Sequence, residues 1–243
     1  MAENLQGHAK GFITRPLGLT QNGAPLLQSF YFRFTSEDHH FGALEAVPNI
    51  PAINKASLAF SDKNRDDQYF YNLTFAPYFG EIFRRTDGRE FCKGSCTYPI
   101  QAPPDRANYV FVLRGFYIYY HGGDHHIDQI KIQENNNGQV TVALNDKNDD
   151  DRFLVDLHYA YIPRSRFLVV DEWSGTSKGG HKMAIAGGTA VIRGFDFDFK
   201  SEDHHIKDIG VVLNGSGRLE VYYADKNQDD LFNWKVQYAI LRP

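Results

Sequence analysis

Phe195-Asp-Phe-Asp-Phe-Lys-Ser-Glu-Asp203-His204-His205-Ile206 opens a block that closes with Asp225-Lys-Asn227-Gln-Asp229-Asp230 and the alternating run Phe232 to Ile240. The same order runs from Phe116 through Asp124-His125-His126 to Asp146-Lys-Asn148-Asp-Asp150-Asp151. It runs again from Phe30 through Asp38-His39-His40 to Asp62-Lys-Asn64-Arg-Asp66-Asp67. The DHH triplets lie 86 and 79 residues apart and the DKN triplets 84 and 79, so whole repeats tile the chain. Tyr161-Ile-Pro163 and Ile240-Leu-Arg-Pro243 match Ala76-Pro77, which sets the cuts at 1–79, 80–163 and 164–243. No Gly/Ser-rich or Pro-rich linker separates the three units, so packed units are expected rather than tethered ones.

Inside each unit the hydrophobic period is two. Phe30, Phe32 and Phe34 correspond to Phe116, Ile118 and Tyr120 and to Phe195, Phe197 and Phe199, the pattern of a half-buried strand. After the DHH turn, Phe41, Leu44 and Ala46 match Ile127, Ile130 and Ile132 and also Ile206, Ile209 and Val211. The step of three and then two predicts a bulge early in that strand. Further strands are expected over Ala56–Phe60, Val140–Leu144 and Leu219–Tyr223. The last column is Tyr69, Tyr71, Leu73 and Phe75, repeated as Phe153, Val155, Leu157 and Tyr159 and as Phe232, Trp234, Val236 and Tyr238. Asn135–Gly138, Asn214–Gly217 and Pro48–Pro51 read as hairpin connections. Less alike are Phe12–Leu17, Glu81–Arg85, Phe167–Glu172 and Lys182–Ala186, which read as short leading strands. No segment carries sustained helical periodicity with caps. The fold class is therefore all-β, three tandem antiparallel, sandwich-like repeats packed together.

A formal charge of -4 with scattered Lys and Arg excludes a nucleic-acid binder driven by a basic field. No apolar run approaches membrane-spanning length, and the first ten residues lack the basic start and apolar core of a signal peptide. A cytoplasmic protein, or one exported without a cleavable signal, is the expectation. Cys92 and Cys96 are the only cysteines. They suit a local bridge or two free thiols better than a zinc half-site, since no second pair completes a tetrad. Asn72-Leu-Thr74 and Asn214-Gly-Ser216 fit the N-glycosylation pattern, which without a secretory signal is read as chance.

Seven of the ten histidines sit in or beside the DHH turns. Imidazole is the commonest protein ligand for transition ions, so Asp38, His39, His40, Asp124, His125, His126, Asp203, His204 and His205 are candidate metal ligands. In a regular strand adjacent histidines point to opposite faces, so one pair chelates an ion only on irregular backbone. The DKNxDD turns offer oxygens at positions one, three and five, as the opening of a calcium loop does. They add Asp62, Asn64, Asp66, Asp146, Asn148, Asp150, Asp225, Asn227 and Asp229 to the candidates. An EF-hand is excluded, because position six is Asp where Gly is needed and position twelve is Leu73, Leu157 or Val236 where Glu is needed. The competing reading is structural: Asp and Asn close their own turns through backbone hydrogen bonds. In an up-and-down order both turns fall at one end of a unit, which predicts one mixed Asp/His site per repeat for calcium or a transition metal.

No Gly-x-Ser-x-Gly elbow, phosphate loop, dinucleotide fingerprint or HExxH motif occurs. Three classes of function fit. The first is a non-catalytic, multivalent, lectin-like binding protein, with Tyr31, Tyr117, Tyr119, Tyr222 and Trp173 available to stack on sugars. The second is a structural or assembly protein whose polar turns only hold the fold and whose partners are protein subunits. The third is a metal-dependent hydrolase using the Asp/His sets.

Overall fold

Every column of alternating apolar residues becomes a strand with that column inward. The structure, a computed structural model, describes residues 2–18, 23–35, 40–49, 55–62, 65, 67–120, 126–135, 137–146, 152–199, 205–214, 216–225 and 230–243, with the side chains of 49, 84–90 and 214 excepted. The first repeat supplies β1 (Glu3–Lys10), β2 (Phe12–Pro16), β3 (Ala24–Phe34), β4 (Phe41–Asn49), β5 (Lys55–Asp62) and β6 (Gln68–Tyr78). The second supplies β7 (Phe83–Lys93), β8 (Ser95–Pro99), β9 (Tyr109–Tyr120), β10 (Ile127–Asn135), β11 (Gln139–Asp146) and β12 (Arg152–Pro163). The third supplies β13 (Phe167–Lys178), β14 (Gly180–Ala184), β15 (Thr189–Phe199), β16 (Ile206–Asn214), β17 (Arg218–Asp225) and β18 (Leu231–Leu241). Two single-turn 3-10 segments, Arg106–Asn108 and Arg164–Arg166, are the only helical ones among the described residues, and no helix is long and apolar enough to cross a membrane.

Three antiparallel six-stranded sheets result, ordered β1-β6-β3-β16-β17-β14, β2-β5-β4-β9-β12-β7 and β13-β18-β15-β10-β11-β8. Each repeat is a small sandwich: its first, sixth and third strands lie in one sheet and its second, fifth and fourth in the next. The halves then join edge to edge between repeats, β4 with β9, β10 with β15 and β16 with β3, so the three sandwiches close into a ring. Closure of this kind gives the inner strands partners on both sides and leaves free edges only at the outer corners. The predicted bulge is present in every repeat, between Phe41 and Ala43, between Ile127 and Gln129, and between Ile206 and Asp208.

All the predicted inward columns are buried, and they belong to one core cluster drawn from all three repeats. A second cluster, including Leu26, Val112, Val191, Ala76, Ala160 and Ala239, fills the end of the ring where the third strands begin. The leading strands run longer than predicted: β13 extends to Lys178 and β7 to Lys93. β13 is an edge strand exposed along most of its length, so it lacks the alternation that marks a half-buried one. Pro48, expected in a connection, belongs to β4 and stands opposite Ala56. It lies beyond Ala43–Ala46, the stretch paired with β9, where the strand is an edge and a missing N–H is tolerated.

At each outer corner the chain passes from one sheet to the next through Lys10-Gly11, Lys93-Gly94 or Lys178-Gly179. The three glycines have φ of 55°, 59° and 65°, a left-handed conformation that glycine adopts without steric cost. Only the second corner is bridged, by Cys92–Cys96 with Cα atoms 5.9 Å apart, within the usual disulfide range. A bridge over a sequence separation of 4 removes little unfolded-state entropy, about 2 kcal/mol in the chain-entropy account. The double change Cys92→Ser with Cys96→Ser should therefore lower stability by no more than about 2 kcal/mol and leave the chain folded. Urea titration with and without reductant measures this, and global unfolding by reductant alone would contradict it.

Candidate functional site

The third strands β3, β9 and β15 bring one ring from each repeat onto a common axis. Phe30, Phe116 and Phe195 meet there with ring centroids 5.0–5.3 Å apart, edge-on or tilted. Further along the same direction each chain leaves its third strand, passes the DHH turn, and enters its fourth strand at Phe41, Ile127 or Ile206. The residue just before each entry is the second histidine of the triplet. His40, His126 and His205 converge with ring centroids 4.8, 4.5 and 4.2 Å apart. Their ligand atoms all lie within 4.8 Å of one another. All three are half-buried and their Nδ1 atoms are shielded from solvent.

Both polar turns fall at one end of each repeat. Asp62, Asp146 and Asp225 close β5, β11 and β17, directly opposite Phe41, Ile127 and Ile206. Each of these carboxylates is only 7% exposed. One function of the first is visible: Asp62 Oδ1 accepts the Arg65 N–H at 2.8 Å, closing its own turn as the structural reading of DKN requires. Arg65 occupies φ 61°, and its guanidinium donates to the Tyr119 hydroxyl at 2.9 Å and lies over the rings of Phe12 and Tyr119. Asp38, His39, Asn64, Asp66, Asp124, His125, Asn148, Asp150, Asp203, His204, Asn227 and Asp229 lie outside the described residues.

A site confined to one repeat was the expectation, whereas the described histidines of the DHH turns form one triad shared by all three repeats. No one-dimensional pattern distinguishes the two arrangements. The Lys-Gly corners were legible, at spacings of 83 and 85 residues, and were missed because the strands around them differ. A third feature left only a partial repeat signal: Arg193 aligns with Arg114, each two residues before an axial phenylalanine, and with Gln28 in the first repeat. Buried Glu134 on β10 is ion-paired by Arg106, and by Arg193 of β15 at 3.5 Å. Arg193 also donates to the Phe111 carbonyl at 3.2 Å, and burial lowers its pKa to about 10. This cluster pins the seam between the second and third repeats.

The outward faces differ from sheet to sheet. On the first, Tyr31 lies tilted against Tyr222 with ring centroids 4.7 Å apart and donates to Asp208 Oδ1 at 2.9 Å. On the second, the positions equivalent to Tyr31 and Arg33 carry Tyr117 and Tyr119, stacked in parallel, beside a groove lined by Tyr117, Glu45, Ser57, Asp156 and His158. The third presents Asp196 and Asp198 beside Asn233 and Lys235. His158 lines the second groove. Burial, reinforced by the Arg114 cation, pushes it down to about 4, which leaves it a weak base at neutral pH. Its Nε2 is 3.8 Å from Asp156 Oδ1, beyond hydrogen-bond distance.

No protein-family profile matches the chain, and no curated protein sequence does. Among solved structures it is similar to a turret protein of Sulfolobus turreted icosahedral virus, at 10% identity and a TM-score of 0.21 over 67% of this chain and 98% of that one. A chain of the same virus particle gives 10% identity and a TM-score of 0.21 over 67% of this chain and 60% of the other. The major capsid protein of bacteriophage PM2 gives 9% identity and a TM-score of 0.18 over 100% and 98%. Superpositions this loose establish neither a shared fold nor a shared role.

Proposed function

We propose that the protein is a non-catalytic structural body that assembles with further protein subunits, its repeats serving the closed ring rather than three equal ligand sites. One observation carries this reading: the recurring apolar columns, axial rings and triad histidines face inward, while the outward side chains at the centres of the three sheets differ. The axial phenylalanines, the triad histidines and the buried Asp62, Asp146 and Asp225 are the same in every repeat. The outward positions after the axial ring are Tyr31 and Arg33, then Tyr117 and Tyr119, then Asp196 and Asp198. Multivalency by duplication needs equivalent binding faces, and these three sets differ in both charge and shape. Divergent faces suit divergent contacts.

Contact points are present outside the sheets' centres. Phe79 is 64% exposed just past β6, Phe91 is 62% exposed on the edge strand β7, and Leu168 is half exposed near the start of β13. Large apolar groups at strand ends and edges are where subunits meet at low desolvation cost. Sedimentation across a wide concentration range should show association beyond the monomer, weakened by Phe91→Ser. A strictly monomeric chain that gives saturable signal on a glycan array would reverse the ranking in favour of the lectin-like reading.

A further inference from the structure

We infer that His40, His126 and His205 form a single binding site for a first-row transition ion of the zinc, cobalt or nickel class, one ion per chain, on the axis of the three-repeat ring. This site is independent of whether the protein assembles with others.

The geometry points this way from several sides. Three imidazoles come from three separate segments, and each is placed by the same local device, a histidine just before the first buried residue of a fourth strand. Their ligand atoms lie within 4.8 Å of one another. Around an ion with metal–nitrogen bonds of about 2.0–2.1 Å in tetrahedral geometry, ligand nitrogens stand roughly 3.4 Å apart. Closing from the observed spacing needs each ring to move less than about 1 Å toward the axis, within reach of a small side-chain rotation.

The donor set selects the ion. Three imidazole nitrogens, with no carboxylate joining them among the described residues, suit zinc, copper, iron, cobalt or nickel and are poor ligands for calcium or magnesium, which take oxygen. Three ligands leave the remaining positions to water, as in an open site. Because each repeat gives one ligand, a bound ion cross-links the three sandwiches at one end of the ring and stabilises the closed form over any open one. The same argument explains why the second histidine of DHH recurs when the outward faces do not.

The test is titration of chelator-treated protein with Co2+, Ni2+ and Zn2+ by calorimetry, with Co2+ visible absorption as a second readout. One ion per chain is expected, with a rise in melting temperature. His126→Gln should weaken binding at least ~100-fold, since even outer partners of a ligand contribute 10–100-fold. His8→Gln and His181→Gln, which lie outside the triad, should leave stoichiometry and affinity unchanged. X-ray absorption of the wild-type complex counts ligands without any variant and should give three imidazole nitrogens. Three ions per chain, each removed by a change in one repeat, would place the sites within repeats and overturn the inference. So would the absence of binding, fewer than three imidazoles, or unaltered binding by a folded His126→Gln protein.

Discussion

Phe116→Ala should cost about 3–5 kcal/mol, the range for removing a large buried aromatic, and should shift the urea midpoint without changing the slope. The ring touches Phe30 at 5.1 Å and Phe195 at 5.3 Å, so its removal empties a space walled by all three repeats. A cavity on the axis cannot collapse by moving one sandwich, because β9 is held on one side by β12 and on the other by β4. The cost should therefore lie toward the upper part of the range. For a chain of 243 residues this corresponds to a fall in melting temperature of roughly 10 °C. Phe116→Leu, which keeps most of the volume, should cost less than half as much. A loss below about 1 kcal/mol for the alanine variant would mean that the axis is not a shared core.

What could be read from the chain, and what could not, divides along the same axis. Period-two columns such as Phe153, Val155, Leu157 and Tyr159 announce a strand and its inward face, because burial on one side of a pleat imposes alternation. The early step in Phe41, Leu44 and Ala46 announced the bulge for the same reason. Partnership between strands has no such signature. Nothing in Ala43–Ala46 says that its neighbour is Phe116–Tyr119 of the next repeat rather than a strand of its own. For that reason the triad of His40, His126 and His205 was invisible as a cluster, although each member had been singled out. The pairing of Arg193 with Glu134 and Arg106 was hidden although Arg193 aligns with Arg114, since it depends on which seam its residues share.

The seams also explain where repetition is strict and where it is relaxed. The residue before each axial phenylalanine is Ser29, Gly115 or Gly194. At the seam between the third and first repeats, the Ser29 hydroxyl donates to the Leu213 carbonyl at 3.2 Å and accepts the Leu213 N–H at 3.0 Å. A side chain is tolerated there because it replaces the ladder bonds it displaces. At the other two seams glycine holds this position, and the neighbouring strand fills the space a side chain would need. A Cβ on Gly194 would stand 2.6 Å from the Ile132 carbonyl oxygen, and one on Gly115 would stand 2.3 Å from the Ala46 carbonyl oxygen.

Gly115→Ala is accordingly the second change expected to have a large effect. Besides the Ala46 oxygen, the added methyl would meet Pro48 Cδ at 2.6 Å and Val47 Cα at 2.9 Å. All three belong to β4, and two are backbone atoms, so no side-chain rotation relieves the clash. The strands themselves must separate, which breaks the pairing of Ala43–Ala46 with Phe116–Tyr119 that joins the first repeat to the second. Overpacking of a tight site typically costs 1–3 kcal/mol, and a clash against fixed backbone at a four-residue seam should exceed about 3 kcal/mol. Gly18→Ala is the matched control, since its nearest neighbours are the terminal oxygens of the flexible Glu3 side chain, at 3.1 and 3.3 Å. It should fall within about 0.5 kcal/mol of the parent. Hydrogen exchange locates the damage: protection should drop at Ala43–Ala46 and Phe116–Tyr119 while the seam between β10 and β15, held by Glu134 and Arg193, keeps its protection. Uniform loss across all three seams would instead show that the ring opens as one cooperative unit.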